Sequence, residues 1–115
     1  MSDCLFCKIA KGEIPAKKVF EDEEMLAFYD LHPRAPLHLL VIPKRHIESL
    51  ATADPSDAEL LGRMMTRLRG IAADNGSPNG FRTVVNSGKV GRQEVYHLHI
   101  HLLGGSEPLG APASF

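Results

Sequence analysis

The sequence predicts an α+β fold, a five-stranded and mainly antiparallel sheet carrying one long helix and a short N-terminal helix. Three observations lead there. The stretch from Leu60 to Ala72 repeats its apolar residues at three- and four-residue steps, as a helix packed on a core does. Short apolar runs rich in β-compatible residues, bounded by turn formers, account for the strands. The links inside the first hairpin and between the last two strands are short enough for antiparallel pairing, so helices and strands are segregated rather than alternating. With 115 residues, 43% of them hydrophobic, the chain has the size and core of one domain spanning residues 1–115.

Leu5, Phe6 and Ile9 lie at helical spacing, and Gly12 and Pro15 end a helix of one to two turns. Val19-Phe20 and Met25-Leu26-Ala27-Phe28-Tyr29 flank the acidic run Glu21-Asp22-Glu23-Glu24, as two strands joined by an exposed turn would. Leu37 to Ile42 is nearly all apolar between Pro36 and Pro43, the pattern of a central strand buried on both faces; His38 is its one interruption. Asp54-Pro55 reads as a cap followed by proline at the first helical position. Leu60, Leu61, Met64, Met65, Leu68, Ile71 and Ala72 then form the apolar stripe of the long helix, and Asn75-Gly76 stops it. Phe81 to Asn86 and Val95 to Leu103 are the last two strands, separated by the polar loop from Ser87 to Glu94, a segment type that commonly approaches ligands. After Gly104-Gly105, the proline-bearing tail 106–115 is expected to be irregular.

Charge balance, with 13 basic and 14 acidic residues, offers no global field for nucleic acid or an anionic membrane. No run approaches the ~20 apolar residues of a membrane span, and Met1-Ser2-Asp3 lacks the basic start of a signal peptide. The expectation is a cytoplasmic protein with neither nucleic acid nor membrane as partner. Cys4 and Cys7 are the only cysteines, too few for a disulfide framework and spaced for a metal clip or a redox pair.

The run His97-Leu98-His99-Ile100-His101 carries the chemistry. On a strand, successive side chains point to opposite faces, so His97, His99 and His101 share one face along about 13 Å while Leu98, Ile100 and Leu102 anchor the other. Imidazole changes protonation near neutral pH, exchanges hydrogen bonds and attacks phosphorus, and three of them can divide those roles. Two plainer readings stand beside this one: the polar face of a half-buried strand, and a His-x-His metal chelate.

His97-Leu98-His99-Ile100-His101-Leu102-Leu103 resembles the signature of the histidine triad family of nucleotide hydrolases and transferases, three histidines alternating with apolar residues. The similarity extends through Leu5-Phe6, Glu13-Ile14-Pro15-Ala16, Ala27-Phe28-Tyr29-Asp30, Ala35-Pro36-Leu37-His38, Val41-Ile42-Pro43-Lys44-Arg45-His46, Asn86, Gln93-Glu94-Val95-Tyr96 and Gly104-Gly105, nearly the whole chain. It is closest to the bacterial form of the Hint branch, the purine nucleoside phosphoramidases.

The resemblance implies that His99 attacks the phosphorus of a nucleoside 5′-phosphoramidate, expels the amine and forms a nucleotidyl-histidine that water hydrolyses to the nucleoside monophosphate. His101 would bind phosphate oxygens and protonate the leaving nitrogen, with His97 and His38 in support. Asp30 matches the family's ribose ligand, though it also suits a turn cap before His32-Pro33. Leu5, Phe6, Ile9, Phe28, Tyr29 and Leu31 match the purine-binding stretch. For Ile9 plain core is the stronger reading. Asn86 and the backbone of Gln93, Glu94 and Val95 match a phosphate-side loop. Glu94 departs from the serine of animal relatives and is assigned to solvent. Arg92 replaces a common glycine at some conformational cost.

Some histidine triad proteins complete a Cys-x-x-Cys pair into a structural zinc site with residues matching His46 and His97, so Cys4, Cys7, His46 and His97 are the expected ligands, the alternative being two plain thiols. Catalysis requires no cofactor on this reading. The resemblance further implies a purine nucleotide of the AMP or GMP type as substrate or product, and a homodimer joined near the long helix. Competing functions are cleavage of dinucleoside polyphosphates, as in the Fhit branch, and a non-catalytic nucleotide-binding or scaffolding module.

Overall fold

Alternation and turn chemistry shape this chain into a sheet with a helix on each face. The computed structural model describes residues 4–111. Helix α1 (Leu5–Ala10) precedes strands β1 (Lys18–Glu21), β2 (Met25–Tyr29) and β3 (Leu37–Pro43); helix α2 (Ala58–Asp74) and strands β4 (Arg82–Val84) and β5 (Ile100–Gly104) follow. The sheet order is β1-β2-β3-β5-β4, with every neighbouring pair antiparallel. The expected α+β architecture with five strands is therefore present.

β3 is buried along its whole length, as its unbroken apolar run predicts. Its alternate residues serve two cores. Leu39 and Val41 meet Leu60, Met64, Leu68 and Ile71 of α2, together with Leu98, Ile100 and Leu102. Leu40 and Ile42 face the other way, joining Leu26 and Phe28 of β2 and Phe6 and Ile9 of α1. Parity therefore sends His38 to the α1 face, away from the long helix.

Asp54 caps the entry to α2 through its carboxylate on the Ser56 N–H at 2.8 Å, while the Asp57 carboxylate returns to the Asp54 N–H at 3.0 Å. Pro55–Asp57 form a 3₁₀ turn before α2 begins. At the other end Gly76 adopts φ 98°, and the Asn75 side chain donates to the Ile71 carbonyl at 2.8 Å. Met65 departs from the expected apolar stripe: it is 50% exposed.

The last two strands are shorter than expected. The sequence pattern starts the last strand at Val95, yet the ladder begins only at Ile100, and β4 stops at Val84, short of Asn86. The reason lies in Gln93. Its side chain accepts from the Gly88 N–H and donates to the carbonyls of Glu48 and Val95, each at 2.8–2.9 Å, so the chain before Ile100 is tied to the segment after β3 instead of to β4. The Leu98 N–H adds a bond to the Ile47 carbonyl at 2.7 Å. Of the tail 106–115, residues 106–111 form neither helix nor strand, as expected, and 112–115 lie outside the described residues.

Candidate functional site

Although the chain leaves the ladder before Ile100, the alternation survives. Leu98, Ile100 and Leu102 enter the α2 core, and His97, His99 and His101 lie on the α1 face with His38. Each imidazole is then individualised by what its two ring nitrogens meet.

His99 Nδ1 lies 2.8 Å from the His97 carbonyl. A carbonyl only accepts, so Nδ1 carries the hydrogen and the neutral ring keeps its lone pair on Nε2. The ring is 6% exposed and packs edge-on against Phe6, centroids 5.2 Å apart, and against His101, also 5.2 Å.

His101 is handled from behind by His38. Pairing of Leu40 with His101 places His38 one pleat away, and its Nε2 reaches His101 Nδ1 at 2.9 Å. His38 Nδ1 accepts the Arg34 backbone N–H at 3.0 Å, so the hydrogen of the neutral ring sits on Nε2 and is given to His101, whose own hydrogen is thereby left on its outward Nε2. Burial pushes the His101 imidazolium down to about 4, with His99 and His38 adding to the effect. Burial lowers His38 as well, against the pull of Asp30. Asp30 continues the parity of Leu26 and Phe28; one carboxylate oxygen caps the turn through the His32 N–H at 2.7 Å, and the other lies 3.5 Å from His38 Nε2. The turn-cap reading of Asp30 is thus realised, with the second oxygen still facing the histidines.

His97 turns the opposite way. Its ring is fully buried, and Nε2 lies 2.8 Å from the Pro43 carbonyl, so the lone pair is on Nδ1. Burial is the main force holding its imidazolium below the usual value. That Nδ1 lies 3.3 Å from Cys4 Sγ, 3.5 Å from Cys7 Sγ and 3.2 Å from His46 Nδ1, while Cys7 Sγ to His46 Nδ1 is 3.3 Å. Tetrahedral zinc with S and N ligands sets donor atoms roughly 3.3–3.8 Å apart. The four residues, whose ligand atoms all lie within 4.8 Å of one another, fit that ion. Asp30, His38 and His101 meet the same proximity criterion. They fit a cation poorly, because the Arg34 amide holds the His38 lone pair on Nδ1 and leaves a hydrogen on the nitrogen facing the group.

The family profile described as "Scavenger mRNA decapping enzyme C-term binding" matches residues 3–111. Protein HitA of Neisseria gonorrhoeae is 56% identical over 104 residues, covering 90% of this chain and 97% of that protein. The chain belongs to the histidine triad family. A histidine triad family hydrolase from Legionella pneumophila superimposes with TM-score 0.89 at 50% identity, covering 96% of this chain and 98% of its own. A zinc-bound histidine triad protein from Mycobacterium smegmatis follows at TM-score 0.78 and 31% identity, over 98% of this chain and 81% of its own.

Around the triad, the structure gathers some expected residues and disperses others. Phe6, Ile9 and Phe28 are buried together beneath it, with Phe6 and Phe28 edge-to-face at 5.7 Å. Leu5 is 44% and Leu31 89% exposed, and Tyr29 also lies on the surface, so these three face solvent. Asn86 is half-buried beyond the end of β4. The expectation that the Gln93 amide faces a phosphate is corrected: it donates to the Gly88 carbonyl at 3.0 Å, which leaves the Glu94 and Val95 amides of that stretch as the candidates. The Glu94 side chain is exposed, as assigned. Arg92 has φ 61°, the conformational cost its replacement of glycine implies. A backbone carbonyl fixing the His99 tautomer is an expectation the sequence allows; that it belongs to His97, and that the Pro43 carbonyl and the Arg34 amide set the other two, is legible only in the structure.

Proposed function

We propose that this chain hydrolyses purine nucleoside 5′-phosphoramidates through a nucleotidyl-His99 intermediate. The observation that carries the reading is the bond from His99 Nδ1–H to the His97 carbonyl, which leaves Nε2 with the lone pair a nucleophile needs. Nε2 attacks phosphorus, the P–N bond breaks and the amine departs with a proton from His101. Water then attacks the same phosphorus and passes a proton to His101, the P–Nε2 bond breaks with its electron pair returning to Nε2, and the nucleoside monophosphate leaves. His101 is neutral in the empty site because it is buried. An anionic phosphate beside it favours the protonated ring, which takes its second hydrogen on Nδ1 as His38 shifts its own from Nε2 to Nδ1 and gives up the Arg34 bond, so substrate binding itself loads the proton that the amine takes. His38 backs His101 by holding its Nδ1.

Phe6 and Phe28 supply the apolar floor for the purine, Asp30 the ribose contact, and Asn86 with the Glu94 and Val95 amides the phosphate contacts. Cys4, Cys7, His46 and His97 hold zinc, in line with the donor geometry and with the zinc-bound relative. Bound there, with all four ligands from the protein, zinc supplies structure and no chemical step. The half-exposed Met65 on α2 supports the homodimer reading, and light scattering at micromolar concentration is expected to return twice the chain mass. Among the described residues no helix is long and apolar enough to cross a membrane.

Hydrolysis of an adenosine 5′-phosphoramidate tests the reaction. Wild type is expected to turn over and His99→Ala to lose at least about a thousandfold in kcat while still binding adenosine monophosphate. Undiminished turnover by the variant removes His99 from the mechanism, and tight nucleotide binding without turnover in wild type makes the chain a binding module.

A further inference from the structure

We propose that metal occupancy of the Cys4–Cys7–His46–His97 cluster governs the orientation of His99, making the cluster a control point for the triad as well as a clip for α1. The inference rests on the zinc and nucleophile readings above and extends them to regulation of the same site.

Two routes connect the cluster to His99, and both run through residues that do not touch substrate phosphorus. The first is His97, a positioning residue. One residue supplies both a ligand atom, Nδ1, and the backbone carbonyl that fixes the His99 tautomer at 2.8 Å. This carbonyl lies in a stretch outside any strand, since the ladder starts at Ile100. Elsewhere in the sheet, peptide orientation is held by neighbouring strands. Here that constraint is shared between the Leu98 N–H of the same peptide, bonded to the Ile47 carbonyl at 2.7 Å, and the His97 ring, which is gripped at Nε2 by the Pro43 carbonyl and at Nδ1 by whatever fills the cluster. Metal at Nδ1 would lock the ring, the part of the hold on this peptide that the Leu98–Ile47 bond does not supply.

The second route is Phe6. It lies between the two cysteines on α1, a helix of six residues. A helix that short has no stability of its own and depends on what tethers it. Burial of Phe6 and Ile9 holds it to the sheet and Cys4 and Cys7 tie its start to the cluster, while Phe6 stands edge-on to His99 at 5.2 Å and 85° and to His97 at 6.0 Å and 74°. Releasing the cysteines loosens the aromatic wall against which the His99 ring rests. His46 is exposed and Cys4 half-buried, so an ion can leave and return from solvent without opening the core.

The test compares three folded samples by circular dichroism and metal analysis: zinc-loaded wild type, the same protein stripped by a chelator, and the Cys4→Ser/Cys7→Ser double variant. Two readouts are taken at one fixed pH: the ¹⁵N side-chain spectrum of His99, and single-turnover hydrolysis of adenosine 5′-phosphoramidate. Zinc-loaded protein is expected to show one His99 species with hydrogen on Nδ1. Stripped protein and the double variant should show a mixture, with the first turnover slowed at least about tenfold. Returning zinc should restore wild type and not the double variant. An unchanged His99 spectrum after stripping overturns the proposal, as does less than about a tenth of an equivalent of zinc in protein purified without chelator. Should stripped wild type unfold, His46→Ala, which removes only the exposed ligand, is titrated with zinc; a His99 spectrum that does not follow occupancy then overturns the coupling. If the spectrum follows zinc but no phosphoramidate is hydrolysed, the proposed reaction fails and the coupling stands, because the spectrum needs no substrate.

Discussion

Two side-chain groups flank His99, and on proximity alone they look alike. Cys4, Cys7, His46 and His97 form one; Asp30, His38 and His101 form the other; in each, the potential ligand atoms lie within 4.8 Å of one another. The backbone makes them different. At His97 a carbonyl, that of Pro43, takes the ring hydrogen and leaves a lone pair facing three other donors. At His38 an amide, that of Arg34, takes the lone pair and leaves a hydrogen facing His101. One group is thereby made ready for a cation and the other for passing a hydrogen bond towards an anion. His99, between them, follows the carbonyl pattern and presents its lone pair outward. The role of a histidine here is set less by its place in the triad than by which kind of backbone group its inner nitrogen meets.

The largest expected difference between the two groups is in stability. His97→Ala deletes a fully buried ring and orphans its hydrogen bond to Pro43, so in metal-free protein it should cost about 3 kcal/mol. His101→Ala removes a ring that is only partly buried and should cost about 1 kcal/mol. Urea unfolding of both variants measures this, and equal losses would erase the distinction between a structural and a working histidine. Zinc affinity should separate the groups next. His46→Ala is expected to weaken zinc by at least about 100-fold and His38→Ala by no more than about twofold, with competition against a chromophoric chelator as the measurement. A second tightly held equivalent that disappears in His38→Ala would show that the Arg34 amide does not dictate the His38 tautomer.

This contrast was only half legible in the sequence. Apolar alternation located β3 and placed His97, His99 and His101 on a common side, because burial against α2 enforces a period of two even where the ladder lapses. The cap at Asp54 and the stop at Asn75-Gly76 are local chemistry and were readable for the same reason. The lengths of the last strands were not. Gln93 competes with strand pairing through contacts to Glu48, Val95 and Gly88, and nothing in a polar loop announces that its glutamine will be 7% exposed and fully engaged. The division of labour among the histidines was hidden for a deeper reason. It depends on the Pro43 and His97 carbonyls, a group every residue has, and on the Arg34 amide, which every residue but proline has, so residue identity carries no trace of them.

The smallest effect is a pH dependence that reports on the His38–His101 pair. An unfolded histidine titrates near 6.5, whereas burial brings folded His101 down to about 4. Between those values the unfolded chain binds a proton that the folded chain refuses, so unfolding free energy rises with pH there. This contribution is complete above about pH 6.5 and is lost as pH falls towards 4. His38, also lowered by burial, acts in the same direction. In His101→Gln the slope of stability against pH over that window should fall by up to about one proton, and the offset between the variant and wild type should stop changing above about pH 7. Urea titrations at half-unit steps resolve it. A variant slope equal to that of wild type would mean folded His101 keeps an ordinary imidazole pKa, and then below about pH 6.5 the phosphate would meet a resident cation instead of drawing a proton onto a neutral ring. That outcome would reverse the order of proton loading and substrate binding in the proposed reaction, while leaving the Nε2 lone pair of His99 where the His97 carbonyl puts it.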